Sequence, residues 1–382
     1  MSARRVVVTG MGSVNACTAG GTEAVAEALD RMRSAIRPVT GFSAGGGASR
    51  LAAQVEDGVL AGLVGRDESR RLSRICQLTV AACRLAAHDA NLAGGTALGI
   101  AVGTEHGDFR SSVEFATGFL ERGPTGLSPM IFPNTVMNTM ASVAAIALGA
   151  RAPSITLNQP TVAGDLAIAR GAALIRGGRA QAVVAGGVDE ICEVVYRRLA
   201  EMGALSPMGG PGPEACRPHQ VGHNGSILGE GATFVVLEEA EGARARGARI
   251  LAELPSAAWG NVPAAPHGAR PGRADRASPV CRLLRARRAA PPFSRCYGSG
   301  NGDPRVDDWE CSLLERDLDG AQDRGLLPPT SLAPVFGQHA GLGALRFGAA
   351  ALDVSRGAGR VLVHGIARGG CRTALVVAPP EP

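Results

Sequence analysis

The chain has 382 residues, of which 45% are hydrophobic, 19% charged and 3% aromatic, and its formal net charge is +5. This length and hydrophobic content are enough to bury the core of one or two domains. Arginines dispersed among acidic residues, few aromatics and no apolar run of about 20 residues argue against nucleic-acid binding and membrane spanning, so we expect a cytoplasmic protein.

Strand and helix patterns alternate along the first 245 residues. A β-branched run over 6–10 ends in glycine and predicts a buried strand that enters a turn, and a similar strand is predicted at 97–103. Between them, apolar residues at three- and four-residue spacing predict a helix over 72–85. The same reasoning predicts helices at 137–147 and 163–176 and strands at 154–157, 182–187 and 233–237.

The composition of the chain changes after residue 250. Residues 255–292 are rich in Pro, Ala, Gly and Arg and contain few large apolar side chains, which predicts a linker or an irregular excursion. Strand patterns resume at 293–298, 361–363 and 374–377. The alternation predicts an α/β protein with two halves, 1–245 and 246–382, of which the second is shortened.

Several motifs predict ordinary structure rather than a binding site. The glycines of 8–15 resemble a dinucleotide-binding turn, but Asn15 replaces the third glycine, so we predict a strand-to-helix turn. The GxSxG letters at 41–45 lack a preceding strand, which predicts a loop. His219 and His223 lie among Pro and Gly and are predicted to be solvated loop histidines. Nine cysteines without a CxxC pair predict reduced thiols, with no metal and no cofactor.

Four segments of the chain match the motifs of a known enzyme family. They are RRVVVTGMG at 4–12, FPNTVMN at 132–138, GARAPSI at 149–155 and NGSILGEGA at 224–232. These segments resemble the β-ketoacyl synthases, and the resemblance covers most of residues 1–250. It implies a thiolase-like fold, in which two pseudo-repeated α/β halves form a layered αβαβα arrangement.

Thr161 stands where the resemblance places the nucleophilic cysteine of the family. By itself, a threonine between a predicted strand and a predicted helix is an ordinary N-cap. A thiol with a pKa of about 8.5 ionises readily at a helix N-terminus and carries an acyl chain as a thioester, whereas a threonine hydroxyl needs an adjacent base. We therefore predict that this chain alone lacks the nucleophile for acyl transfer.

The two histidines of the family are also replaced. The resemblance places them in a His-Gly-Thr motif and a Gly-His motif of the second half, where this chain has Tyr297 and Gln338. A register one residue later would restore His339, and this alternative stays open. Because three positions change together, we predict a catalytically inactive subunit with degenerate positions at Thr161, Tyr297 and Gln338.

A synthase-like chain without a nucleophile resembles the chain length factor, the β-subunit of type II polyketide synthases. That resemblance implies a heterodimer with an active ketosynthase, a tunnel between the subunits that sets polyketide or polyene chain length, and substrates on the phosphopantetheine arm of an acyl carrier protein. Such subunits usually carry glutamine at the position of Thr161, so this chain is divergent. The large apolar residues predicted to line the tunnel are Phe109, Phe115, Phe119 and Met137.

Two alternatives to this function stay open. One is a divergent enzyme that uses Thr161, Tyr297 and His339 for other acyl chemistry. The other is a degenerate scaffold that binds carrier protein without controlling chain length. Both alternatives keep the same predicted fold.

Overall fold

The computed structural model describes residues 4–45, 48–95, 97–208, 212–261, 278–286, 291–318 and 324–381. The strands within these ranges are β1 (Val6–Asn15), β2 (Ala19–Gly20), β3 (Arg37–Pro38), β4 (Leu51–Ala52), β5 (Leu98–Thr104), β6 (Ser154–Asn158), β7 (Ala182–Asp189), β8 (Gly231–Glu239), β9 (Ala252–Asn261), β10 (Phe293–Tyr297), β11 (Arg360–Ile366) and β12 (Cys371–Ala378).

The α-helices of the same ranges are α1 (Thr22–Arg31), α2 (Asp57–Leu63), α3 (Arg66–Ser69), α4 (Arg74–Asp89), α5 (Phe109–Arg122), α6 (Thr139–Leu148), α7 (Ala163–Arg176), α8 (Glu193–Glu201), α9 (Ala240–Ala245), α10 (Pro279–Ala286), α11 (Pro304–Asp317), α12 (Ala333–Phe336) and α13 (Gly341–Ser355). Short 3₁₀ helices lie at Gly123–Gly126, Phe132–Thr135 and Arg324–Leu326. Within the described part of the chain, no helix has the length and apolar character needed to cross a membrane.

The main sheet is one hydrogen-bonded path of strands in the order β10-β11-β12-β9-β1-β8-β7-β5-β6, with β2 beside β1. β5 pairs in parallel with β6 and β7, and β10 pairs in parallel with β11. The other neighbours along the path are antiparallel. β6 therefore forms one end of the path and pairs with a described strand on one side only.

Two apolar helices, α7 and α13, form the centre of the molecule. Both consist mostly of buried residues, because small and aliphatic side chains occupy nearly all of their surface. α7 packs on β5 and β7 and also on β9 and β12, and α13 packs on β7 and β8 and also on β11 and β12. On the outer side, α4 and α6 cover β1 and β5 to β8, and α10 and α11 cover β9, β11 and β12. This is the αβαβα layering of the predicted thiolase-like fold, which is confirmed.

β1 differs from the strand and turn predicted over 8–15. It runs through both glycines to Asn15, and its register with β8 shifts between Val8 and Gly10. A Cβ on Gly12 would lie 2.3 Å from the backbone nitrogen of Ala86, on α4. Glycine is therefore needed because α4 approaches the strand closely, and the predicted strand-to-helix turn is wrong.

The segment predicted to be irregular, 255–292, contains regular structure. β9 extends to Asn261 and pairs with β12 from Glu253 to Asn261, and α10 covers Pro279–Ala286. The linker prediction is therefore wrong for these two stretches, because pairing with β12 orders a strand of small residues. Residues 262–277 and 287–290 lie outside the described residues. The division of the chain at residue 245 stays a prediction.

Candidate functional site

Thr161 occupies a strained turn between β6 and α7. Its φ is 62°, and the backbone N–H of Val162 donates to the carbonyl oxygen of Pro160 at 2.6 Å, which closes a γ-turn across Thr161. A β-branched residue is rare in this left-handed region, and such strain, of about 1–3 kcal/mol, is concentrated at functional sites. The N-cap of α7 is Val162, so the interpretation of Thr161 as a helix cap is wrong.

A carboxylate meets the backbone of this turn. The N–H of Thr161 donates to Oε2 of Glu105 at 3.0 Å. Burial raises the pKa of Glu105 above its usual value, and the negative charge of Asp189 adds to the rise, whereas His106 and Arg368 lower it. Glu105 directly follows β5, whose carboxyl end lies beside the start of α7.

Asp189, the last residue of β7, holds two loops of the site together. Its Oδ1 accepts from the hydroxyl of Thr104 at 2.7 Å and from the backbone N–H groups of Glu105 and His106 at 3.0 and 3.2 Å. Its Oδ2 accepts from the backbone N–H of Ala340 at 2.8 Å. The carboxylate thereby connects the loop after β5 to the start of α13.

Gln338 and His339 both reach the site, from the loop that precedes α13. Both side chains are buried and line one pocket with Thr161 and Glu105. Burial lowers the pKa of His339 to about 4, so its imidazole is neutral at pH 7. Because both residues line the pocket, position alone does not distinguish the two registers of the Gly-His motif.

The pocket has a volume of about 80 Å³ and an acidic wall. Glu190 is buried in the wall, with Oε2 lying 3.7 Å from Nε of Arg110, and burial raises its pKa to about 8. The other polar lining residues include Glu105, His106, Asp189, Ser226, Asn301, Gln338, His339 and Arg368.

Tyr297 is not among the residues that line this pocket. It is the last residue of β10, and its hydroxyl donates to Oδ2 of Asp353 at 2.8 Å and accepts from Arg295 at 3.2 Å. β10 continues through Tyr297, so the loop that reaches the pocket starts later and contributes Asn301. Of the trio invoked for other acyl chemistry, only Thr161 and His339 share the pocket.

The residues predicted to line an acyl tunnel lie on an exposed surface. Phe109, Phe115 and Phe119 belong to α5, and Met137 precedes α6 and packs against Gly107. None of the four lines the pocket at Thr161. We call the apolar residues of α5, the start and outer side of α6 and the segment between them the apolar face; all are exposed except Phe115, which is half-buried against Phe132: Phe109, Phe115, Phe119, Leu120, Met130, Phe132, Val136, Met137 and Ile146.

The two predicted loop histidines lie in a loop, as expected, and α11 supplies a polar partner to each. The side chain of His219 is 5% exposed, and its Nδ1 lies 3.4 Å from Sγ of Cys311. Nδ1 of His223 lies 3.1 Å from Oδ2 of Asp307, and this side chain is 20% exposed. The prediction of solvated histidines is therefore wrong for His219, which is buried, whereas His223 keeps part of its surface in solvent. Burial and nearby carboxylates raise the pKa of the Cys311 thiol to about 12, which keeps it protonated.

Sequence reasoning missed the carboxylates that organise the site. Glu105 follows β5, and Asp189 and Glu190 come at the end of β7. Parallel strands in α/β sheets carry functional residues beyond their carboxyl ends, so acids at these two positions were a usable signal.

Comparison with known proteins agrees with this fold. Residues 3–243 match the family model of the β-ketoacyl synthase N-terminal domain. The 3-oxoacyl-acyl-carrier-protein synthase 2 of Vibrio harveyi is 34% identical over 262 residues, which cover 66% of this chain and 62% of that protein. The corresponding synthase of Synechocystis is 32% identical over 257 residues, covering 66% of this chain and 61% of that protein. The matches thus span about three fifths of these curated relatives.

Longer matches come from polyketide synthases and solved structures. The ketoacyl synthase alpha subunit of the tetracenomycin polyketide synthase from Streptomyces glaucescens is 29% identical over 368 residues, or 93% of this chain and 85% of that one. The ishigamide ketosynthase/chain length factor structure aligns over 100% of both chains, with a TM-score of 0.86 and 23% identity. A β-ketoacyl synthase from Burkholderia phymatum aligns over 99% of this chain and 100% of that one, with a TM-score of 0.82 and 24% identity. At these identities the structures establish the shared fold.

Proposed function

Because the chain belongs to the β-ketoacyl synthase family, we propose that it is a non-catalytic subunit of the chain length factor type. It pairs with an active ketosynthase and shapes the acyl tunnel that sets polyketide or polyene chain length. The observation that carries this proposal is Thr161, a hydroxyl residue in a strained turn at the start of α7. The family scaffold persists around a position that holds no thiol.

The chemistry of the pocket supports the absence of acyl transfer. A threonine hydroxyl needs a base within hydrogen-bonding reach to become a nucleophile. Across the described residues, the contact of Thr161 with a titratable group runs from its backbone N–H to Glu105, not from its hydroxyl. His339 is neutral at pH 7 but makes no hydrogen bond to that hydroxyl.

The apolar face and β6 together supply a surface for subunit pairing. Met130, Leu120 and Ile146 are 86%, 82% and 81% exposed. Large apolar side chains exposed in neighbouring elements mark protein interaction sites, and an outer strand offers backbone groups to a second chain. α6 packs on β6, so both features lie on one side of the molecule. A tunnel lined by Phe109, Phe115, Phe119 and Met137 would accordingly lie between subunits.

The names of similar proteins agree with these partner classes. One solved structure with this fold is described as a ketosynthase/chain length factor, and another as a type II acyl carrier protein in complex with its ketosynthase. We propose the same two partners here, an active ketosynthase and a carrier protein that presents the growing chain on its phosphopantetheine arm. The formal net charge of +5 suits an acidic carrier.

Co-purification tests the pairing. We expect the tagged chain to retain an active type II ketosynthase from the same genome when both are expressed together. The Leu120→Asp/Ile146→Asp variant should lose most of the retained partner, because each charge would be buried unpaired in the interface.

Val221→Asp is the matched control for this experiment. Val221 is also fully exposed, but it lies in the loop of His219 and outside the apolar face. It should leave pairing unchanged. The proposal fails if the wild-type chain forms only homodimers beside the ketosynthase, or if the control and the apolar-face variant behave alike.

A further inference from the structure

The carboxylate of Glu105 occupies a position at which anions are stabilised. α7 is a helix of 14 residues, and the N–H of Thr161 lies at its start. Backbone N–H groups before a helix attract negative charge, and such donors stabilise the oxyanion of acyl-transfer reactions. Here that donor already serves Glu105, whose Oε2 lies 3.0 Å from the nitrogen.

The backbone of Glu105 is held from two sides, so the carboxylate does not depend on a mobile loop. Its N–H donates to Oδ1 of Asp189, and its carbonyl oxygen accepts from Nδ2 of Asn158 at 2.8 Å. Asn158 ends β6, three residues before Thr161. The two contacts fix Glu105 relative to both the strand before the turn and the sheet beneath it.

The charges around Glu105 are unevenly distributed. His106 and Arg368 favour its ionised form, but Arg368 also pairs with Asp303. Asp189 is saturated by four donors and adds negative charge beside it. The pocket thus offers an incoming acyl carbonyl a carboxylate where a free hydrogen-bond donor is needed.

We propose that Glu105 is an internal occupant of the anion position at the start of α7 and denies the Thr161 N–H to any bound acyl group. The site is therefore inactive for two separate reasons, one in the side chain at position 161 and one in its backbone surroundings. This inference goes beyond the proposed function, because it concerns the isolated chain and needs no partner.

Thiol alkylation tests the proposal directly. Thr161→Cys places a thiol in the turn, and its thiolate attacks the carbon of iodoacetamide, so that a C–S bond forms, the C–I bond breaks and iodide leaves. Glu105 should disfavour the thiolate, because its carboxyl oxygen holds the N–H that would otherwise face the sulfur anion. In Thr161→Cys/Glu105→Ala that acceptor is gone and the N–H is free. We expect about ten-fold faster alkylation at pH 7 and a pH–rate curve displaced by about one unit to lower pH.

The design separates this thiol from the nine native cysteines and controls for folding. The tryptic peptide 152–170 holds no native cysteine, so mass spectrometry of that peptide reads the new thiol alone. Thr161→Cys/Glu190→Gln is the matched control, because Glu190 lines the same pocket without contacting the Thr161 N–H, and it should leave the rate within about two-fold.

Thr161→Cys/Glu105→Gln still presents an oxygen to the N–H and should react as slowly as the single variant, and Thr161→Cys/Glu105→Gly is a second acceptor-free variant if the alanine variant folds poorly. Equal rates with and without an acceptor at position 105 would overturn the proposal. Pairing with the ketosynthase is measured separately, so failure here leaves the proposed function untouched.

Discussion

His364 lies between an acid and a guanidinium, and these neighbours fix the position of its proton. Nδ1 is 2.8 Å from Oε1 of Glu310, and Nε2 is 3.0 Å from a nitrogen of Arg372. Guanidinium nitrogens only donate, so Nε2 accepts and Nδ1 carries the hydrogen. Burial lowers the pKa of His364. Burial alone would raise the pKa of Glu310, but the contacts with His364 and with the backbone of Ser299 outweigh it and lower that pKa to about 2. The ring is therefore neutral beside an ionised acid.

His339 makes the stability of the protein depend on pH. Its folded-state pKa is about 4, whereas an unfolded histidine titrates near 6.5. Between these values the unfolded chain binds more protons than the folded one, so the free energy of unfolding falls as pH falls from about 6.5 to 4. We expect this residue to contribute a loss of about 3 kcal/mol over that range.

Urea unfolding at pH 7, 6, 5 and 4 measures this effect. His339→Gln cannot titrate, so its stability should decline less steeply than that of the wild type between pH 6.5 and 4. Identical slopes for the two proteins would contradict the buried, neutral histidine.

At the residue scale, the sequence predicted positions better than contacts. Thr161 lies at the strand-to-helix junction where the motif order placed it, since flanking glycines and strands define that junction locally. Tyr297 was assigned to the site by the motif order, but its hydroxyl bonds to Asp353, 56 residues further along the chain, and no local pattern shows that contact. Glu105 escaped notice because its partner, the Thr161 N–H, is supplied by a segment 56 residues away.

At the element scale, the contact between β1 and α4 depends on glycine. A Cβ on Gly12 would lie 2.3 Å from the nitrogen of Ala86 and 2.4 Å from the carbonyl oxygen of Ala82. Because both atoms are backbone, Gly12→Ala must separate the strand from the helix. We expect it to lower the free energy of unfolding by about 1–3 kcal/mol, the usual cost of overpacking.

Gly58→Ala is the matched control, measured by the same thermal or urea unfolding. Gly58 lies in α2, and a Cβ at this position would have no neighbouring atom of the described residues within 4 Å. Alanine there should therefore stabilise the helix by about 0.5–1 kcal/mol. If both variants shift stability in the same direction, the close approach of α4 is not what requires Gly12.

The elements predicted best were those with strong local patterns. The helix predicted over 163–176 coincides with α7, since its apolar surface and its final arginine both lie within the segment. β1 and β9 were predicted poorly. The glycines of β1 allow the close approach of α4, and the small residues of β9 pair with β12. Both partners are distant in sequence, so the local pattern of either strand does not show the contact.

At the scale of the whole molecule, one buried ion pair joins the two central helices. Asp165 of α7 and Arg346 of α13 are 2.9 Å apart and fully enclosed, and Arg346 also donates to the carbonyl oxygen of Gly298 at 3.0 Å. Removing one member leaves the other charge buried without its partner, which costs about 3–5 kcal/mol. We expect Arg346→Met to lower the free energy of unfolding by this amount.

Arg84→Met is the control for that prediction, because the side chains of Arg84 and Glu68 are 40% and 34% exposed, so solvent screens their pair and it should contribute less than about 1 kcal/mol. Urea unfolding of Arg346→Met, Arg84→Met and the double variant Asp165→Asn/Arg346→Met separates the cost of an unpaired buried charge from the cost of lost packing. The double variant should recover part of the loss. If Arg346→Met lowers the free energy of unfolding no more than Arg84→Met does, the ion pair of Asp165 and Arg346 does not hold α7 and α13 together.

Asp189 has a consequence for how the pocket moves. Its carboxylate ends β7, yet it holds the loop at 104–106 with one oxygen and the N-cap residue of α13 with the other. The two walls of the pocket are thus mechanically coupled through a single side chain. We therefore expect a displacement of one wall to displace the other, so that occupancy of the pocket reaches α13, which packs on β7 and β8 and also on β11 and β12.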